Sequence, residues 1–429
     1  MSQAIVAVVL IPLVAAIATS LVVLRSERAA RLLVGAGATA HALAVVAVAA
    51  GISGTGGDSY SVGGWAAPLG IVLVVDSLSV FFLFLIAAGH VVFLAHAFVE
   101  ERSPRKGMWI LTELFVAALS GMVVAGDLFN LFVFLELASV ASIGLITHKQ
   151  RAEGAGAGFV YLLFASISGL LFLLAVILLY SGVGVLTLAE IAAAVDRMPP
   201  VTHRVSFGLL IASLGIKFGL VPFHFWQAPA YSAAGSSVAA LLSGTGMKVY
   251  LYVLIRLLIH TLRGYEVAPL LGTVILVFGL TNIISGHILA LAERDLKRLL
   301  AFSSVAHVGY ILIALSVVFA AGTSATRHAA ATAVLLHIVF HALIKSVLFY
   351  SGRTLVDRGG TSVLEGLRGV GRRELVGFGA FILASLALVG IPPTSGFYSK
   401  WRIALSAYRD FGVTPVVVIA AGTVISMLY

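Results

Sequence analysis

The chain has 429 residues, of which 60% are hydrophobic and only 10% are Asp, Glu, Lys or Arg, with a mean hydropathy of +1.10. A soluble domain wets its surface with about 25% charged residues, so a soluble enzyme and a disordered tail are excluded and the solvent for most of this surface is lipid. The 27 basic residues outnumber the 18 acidic ones by nine and the chain has no cysteine, which excludes disulfides, thiolate metal sites and iron–sulfur ligands.

Apolar runs of spanning length recur from end to end. The first, 4–23, has no basic residues before it, and ~20 apolar residues is enough to cross a bilayer, so it reads as a retained helix and not a signal peptide. The others are 32–52, 71–98, 108–125, 128–146, 159–180, 205–225, 238–259, 268–292, 299–321, 327–350, 375–398 and 414–429, which makes thirteen. The longest connections, 53–70, 181–204 and 351–374, leave no room for a soluble domain. The prediction is an all-α polytopic membrane protein, because a helix satisfies its own backbone in hydrocarbon.

Loops on the side that follows the first span carry sixteen basic residues: Arg25, Arg28, Arg31, Arg102, Arg105, Lys106, Lys149, Arg151, Arg294, Lys297, Arg298, Arg353, Arg358, Arg368, Arg372 and Arg373. The opposite side carries six: Arg197, Arg204, Arg263, Arg327, Arg402 and Arg409. The richer side is cytoplasmic and the N-terminus external. Basic residues scattered over many short loops also form no nucleic-acid surface.

Several charges stand inside these apolar runs, where each costs roughly 2.5–3.5 kcal/mol at the bilayer centre. Asp76 and Asp127 fall at span ends, and Asp127 reads as the cap of the helix that follows. Glu136 ends the apolar stretch Leu128–Leu135 and is followed by small residues at helical spacing, which admit a close neighbour. Lys217 stands among Gly215, Gly219 and Pro222, a combination that interrupts a helix. Lys248, Tyr252 and Arg256 share one helix face; Arg256, nearer the end, is expected to snorkel toward water. His337, His341 and Lys345 form a titratable stripe. Two histidines at that spacing could hold zinc, but no acidic partner or third ligand accompanies them, and a proton relay suits imidazole better. His287 and His307 read as packing residues, with His307, beside Ser303 and Ser304, able to join the relay. Lys400 follows Gly390, Pro392 and Pro393, a second break, beyond which apolar character resumes toward Tyr408. Broken helices at matching places in two halves point to a transport path.

Static ion pairs that merely fix helix packing are the structural alternative. One central carboxylate cannot pair with four lysines, however, and an unpaired amine in low dielectric gives up its proton readily.

The stretches Asp127–Ser142, Lys217–Tyr231, Ser243–Arg256, Arg294–Tyr310, His337–Tyr350 and Gly390–Lys400, taken in order, resemble the antiporter-like subunits shared by respiratory complex I, membrane-bound hydrogenases and Mrp cation/proton antiporters. The segment Gly63–Ile71, followed by Asp76-Ser77-Leu78-Ser79, is most similar to the Mrp D subunit. The resemblance implies a fourteen-helix fold with inverted five-helix repeats and broken helices 7 and 12. The expected division is 1–107 for helices 1–3, 108–265 for the first repeat (helices 4–8), and 266–429 for the second (helices 9–13). The chain stops within span 13, so a fourteenth helix is expected to be missing.

By motif match, Glu136 is implied as the carboxylate partner of the switchable Lys217, Lys248 as the central bridge, His337, His341 and Lys345 as the relay, and Lys400 as the terminal lysine. Asp76, Asp127 and His307 are accessory candidates. The expected function is a subunit of a multi-subunit sodium/proton antiporter in a bacterial-type plasma membrane, with small membrane subunits, protons and monovalent cations as partners. No metal, nucleotide, flavin or quinone motif is visible, no cofactor is expected, and no catalytic chemistry is expected in the chain itself. The rival readings are a proton-pumping subunit of complex I or a membrane hydrogenase, a structural scaffold, and a stand-alone transporter.

Overall fold

The computed structural model describes residues 2–68, 70–100, 106–148, 152–194, 197–261, 268–320 and 323–429. Leu69 of the Gly63–Ile71 segment and the loop residues Arg102, Arg105, Lys149, Arg151 and Arg263 lie outside the described residues. The chain divides into two compact units, one of Met1–Lys217 with Thr245–Arg263 and one of Phe218–Gly244 with Gly264–Tyr429.

The first unit holds α1 (Ser2–Val22), α2 (Glu27–Ile52), α3 (Ser77–Glu100), α4 (Lys106–Val124), α5 (Leu128–Thr147), α6 (Ala152–Val183), α7 (Leu188–Ala194) and α8 (Pro200–Phe218), whose last residue begins the other unit. The outer face of α1 is apolar and exposed at Leu10, Val14, Ile17 and Leu21, as a helix in lipid requires. The connection at 53–70, read as loop from the sequence, contains instead part of a hairpin. Strand β1 (Gly57–Ser61) pairs antiparallel with β2 (Val72–Asp76), Tyr60 opposite Leu73. Gly126 N donates to Val72 O (2.9 Å), tying the hairpin to the loop before α5. The hairpin delivers Asp76 to the first turn of α3.

The second unit holds α9 (Gln227–Ala233), α10 (Ser236–Leu241), α12 (Ala268–Ala292), α13 (Leu296–Ala320), α14 (Ser324–Gly359), α15 (Leu375–Val389), α16 (Ser395–Phe411) and α17 (Val413–Ser426). Helix α11 (Met247–Thr261) returns to the first unit. Helix α13 is buried all round from Leu299 to Val317, the pattern of a helix surrounded by other helices.

Among the described residues eleven helical segments are long and apolar enough to span a membrane, and α15 and α17 are shorter apolar helices. The architecture is therefore a multi-pass helical membrane protein. Both predicted breaks are present. Helix α8 stops at Phe218, Gly219 takes φ +78°, and a 3₁₀ turn at Phe223–Trp226 leads into α9. A side chain at Gly219 would also meet the Gln227 amide. Helix α15 stops at Val389, Gly390 takes φ +87°, and the chain restarts as α16 with Thr394 capping Phe397 N. A third break, unexpected from the sequence, is a π turn at Leu242–Gly246 between α10 and α11. Every residue from Ser236 to Leu258 is buried.

Candidate functional site

In the first unit the site is built on α5, α6 and α8. Asp127 accepts from Asn130 N (2.7 Å) and caps α5. Burial pushes its carboxyl above the ordinary range, against the backbone donors Asn130 and Phe129. Two turns on, Glu136 is half-buried and its Oε1 has no hydrogen-bond partner. Gly169 of α6 makes room for it, since a Cβ there would overlap Oε1.

Lys217, at the last turn of α8 and 2% exposed, donates to Ser139 Oγ (2.6 Å) and lies 5.9 Å from the Tyr161 ring centroid. Ser139 in turn donates to Leu135 O (2.7 Å), so its oxygen is aimed to accept from the lysine. No carboxylate lies within ion-pairing distance of Lys217 among the described residues. The structure thus places Glu136 and Lys217 in one neighbourhood with Ser139 on the amine. Lys248 is fully buried on α11.

Arg256 does not snorkel as its place near a span end suggests. It forms a two-pronged ion pair with Asp76 (Nη1–Oδ2 2.5 Å, Nη2–Oδ1 2.7 Å) and donates to Tyr252 OH (3.0 Å) and Ser79 Oγ (2.9 Å). Tyr252 OH donates to Val123 O (2.6 Å). Burial opposes charge on Asp76, but the Arg256 guanidinium and the Ser79 donors outweigh it and hold the carboxyl at about 2. Asp76 is therefore one arm of a fixed pair.

In the second unit, His337 and His341 on α14 stack with His307 on α13, with ring centroids 5.2 and 4.8 Å from His307. His307 Nδ1 and His337 Nε2 are 3.1 Å apart, and His337 Nδ1 is 3.0 Å from Ser399 Oγ on α16. The next residue, Lys400, donates to Val389 O (2.9 Å) at the break and sits 4.5 Å from the Tyr310 ring centroid. Lys345 donates to Leu300 O (2.7 Å) and to Ser303 Oγ. His287, read as a packing residue, is wired to Tyr310 OH (3.1 Å) and Tyr429 OH (2.7 Å). Among the described residues no group of three or more His, Asp or Glu is placed to hold a metal ion.

Sequence reasoning named the lysines of both units and the histidines of the second but missed Ser139, Tyr161, Tyr310 and Ser399, and it set Ser303 beside His307 without seeing its bond to Lys345. These are the neutral groups that hold them. Ser139 lies one turn after Glu136 and Ser399 is next to Lys400, so spacing alone was a usable signal for those two.

The model of the NADH:quinone oxidoreductase/Mrp antiporter transmembrane family matches residues 125–428. The chain belongs to this family. It is 35% identical over 433 residues to the N subunit of the NADH-quinone oxidoreductase of Desulforudis audaxviator, covering 98% of this chain and 84% of that one. It is 29% identical over 351 residues to the D subunit of the Na(+)/H(+) antiporter of Alkalihalophilus pseudofirmus, covering 81% and 69%. A chain of the membrane-bound sulfane sulfur reductase, an archaeal respiratory membrane complex, superposes with a TM-score of 0.93 at 25% identity, covering 100% of this chain and 86% of that one. The closeness to the Mrp D subunit expected from Gly63–Ile71 is not favoured, because the N-subunit relative matches at higher identity over more of the chain. That expectation rested on one short loop, and a loop diverges faster than the buried helices.

Proposed function

We infer that this chain is an ion-translocating membrane subunit of the complex I, hydrogenase and Mrp group, a reading its family and fold support. We propose that it is the proton-pumping kind, working inside a redox-driven respiratory complex together with other membrane subunits. The observation that carries this reading is the state of the buried lysines. Lys217, Lys345 and Lys400 are each 4% exposed or less, and each donates to hydroxyl or carbonyl oxygens with no carboxylate in ion-pairing range among the described residues. Static ion pairs would hold counter-ions at those positions. Amines solvated by neutral oxygens can lose and regain a proton without leaving a buried charge stranded.

In the proposed cycle Glu136 and Lys217 switch between a paired state, in which the amine is charged, and a separated state with Ser139 on the amine. Separation releases the Lys217 proton toward Lys248. His341, His307 and His337, with Lys345 beside them, carry protons on to Lys400 in the second unit. Neutral imidazole both donates and accepts, which fits it for the middle of such a chain. Residues 108–265 and 266–429 are proposed to act as two repeats, in a bacterial-type plasma membrane with the N-terminus outside. The sixteen-to-six distribution of loop basic residues supports that orientation.

The second reading is exchange of sodium for protons in an Mrp-type assembly, which the similarity to the antiporter chain of Alkalihalophilus pseudofirmus favours. Purification of the tagged chain in mild detergent distinguishes the two. Copurified iron–sulfur subunits are expected, whereas small membrane subunits alone would replace the redox reading with the antiporter one.

A further inference from the structure

A second buried titratable group lies on α2, α3 and α4, helices that precede the segment matched by the family model. Glu113 of α4, His90 of α3, His41 of α2 and Ser120 of α4 are all 0% exposed. His90 Nε2 is 3.3 Å from Glu113 Oε1, yet neither carboxyl oxygen of Glu113 has a hydrogen-bond partner. His41 Nε2 meets Ser120 Oγ (3.1 Å), and the His41 and His90 ring centroids are 6.4 Å apart. Glu113 and Ser120 are seven residues apart and share one face of α4. The residues stand near mid-helix, His90 roughly 20 Å along α3 from its start at 1.5 Å per residue.

A carboxylate ionised there without a partner would be costly. Because the pair's hydrogen-bonding capacity is unspent, the residues can share a single proton. We propose that Glu113 and His90 form a proton-binding site of their own, with His41 as the next acceptor. In one form Glu113 carries the proton and His90 is neutral. Transfer from Oε1 to Nε2 leaves a carboxylate facing an imidazolium, with no change in total charge, and the reverse step restores two neutral groups.

One side of the site is closed by a glycine. A Cβ at Gly37 on α2 would lie 3.7 and 3.8 Å from the two Glu113 oxygens, and 2.7 Å from Ala15 Cβ. Gly37 lines a groove together with Leu10, Val14, Ala15, Leu33 and Tyr60. The carboxyl is thus covered on that side by a residue without a side chain. Other titratable groups on the surrounding elements are few. Helix α1 has none, Arg31 of α2 is engaged by Glu27 and Phe98 O, and Asp76 is engaged by Arg256. Helix α3 also carries His96, α5 brings Glu136 and α11 brings Lys248.

The test is a pH-difference infrared titration of the full chain in lipid vesicles, which reads carboxyl protonation directly and does not depend on transport. One protonated-carboxyl band should vanish in Glu113→Gln. That band should change in frequency in His90→Gln, because the ring facing the carboxyl oxygen is then gone. If Glu113→Gln does not fold, His90→Gln still identifies the band as the one that moves. No band lost in Glu113→Gln, or no band displaced in His90→Gln, would overturn the proposal.

Discussion

Lys217 Nζ lies 2.6 Å from Ser139 Oγ, and Ser139 stands one helical turn beyond Glu136 on α5. The amine therefore rests on a neutral oxygen in the neighbourhood of Glu136, and in the proposed cycle a short movement along α5 exchanges one for the other. Ser139→Ala removes that resting place. A buried donor left unsatisfied costs about 1–3 kcal/mol, so proton translocation by the assembled complex should slow several-fold or more with normal assembly. Turnover measured in membrane vesicles checks this.

Gly169 faces the Glu136 carboxyl from α6 with no space for a methyl group. Gly169→Ala should push the carboxyl aside and suppress translocation more than it affects stability, since overpacking of this size costs about 1–3 kcal/mol. Comparing vesicle flux with the thermal midpoint of the purified chain separates the two effects.

The Asp76–Arg256 pair gives a stability signature in acid. The Asp76 carboxyl sits at about 2, below its ordinary value of 3.8. Its contribution is complete above the ordinary value and is lost as pH falls toward 2. In Asp76→Asn that acid-sensitive part should disappear, and stability at neutral pH should fall on the order of 2 kcal/mol. This is below the usual cost of stranding a buried charge because the carboxylate is partly exposed. Unfolding midpoints measured across pH 2–7 test both statements.

His307 touches both stripe histidines, at 3.1 Å through His337 Nε2 and by stacking on His341. His307→Phe keeps a planar ring while removing both nitrogens, so translocation should drop at least tenfold with the complex intact. Unchanged turnover would place the proton route elsewhere.

The positions of the spans were legible because lipid leaves the chain no alternative to helix, and the breaks at Gly219–Pro222 and Gly390–Pro393 were legible because Pro and Gly disrupt the helical ladder. The π turn at Leu242–Gly246 was not, because Ser243, Gly244, Thr245 and Gly246 sit comfortably in an apolar helix pattern. The hairpin was not, because its two strands are only five residues each. The lysines stood out as charges in apolar runs, but the groups that hold Lys217, Lys345 and Lys400 are serines, backbone carbonyls and rings, which carry no signal until helices are packed. Arg256 was misjudged because Asp76, 180 residues away in sequence, holds it. Glu113 met the same criterion as Glu136 and was passed over, since its partner His90 lies on a different helix.

Proton flux into vesicles containing the assembled complex, compared between the wild type and Lys217→Ala, tests the central claim most directly. Flux at background with all subunits present is the predicted result. Wild-type flux through a correctly assembled Lys217→Ala complex would contradict it.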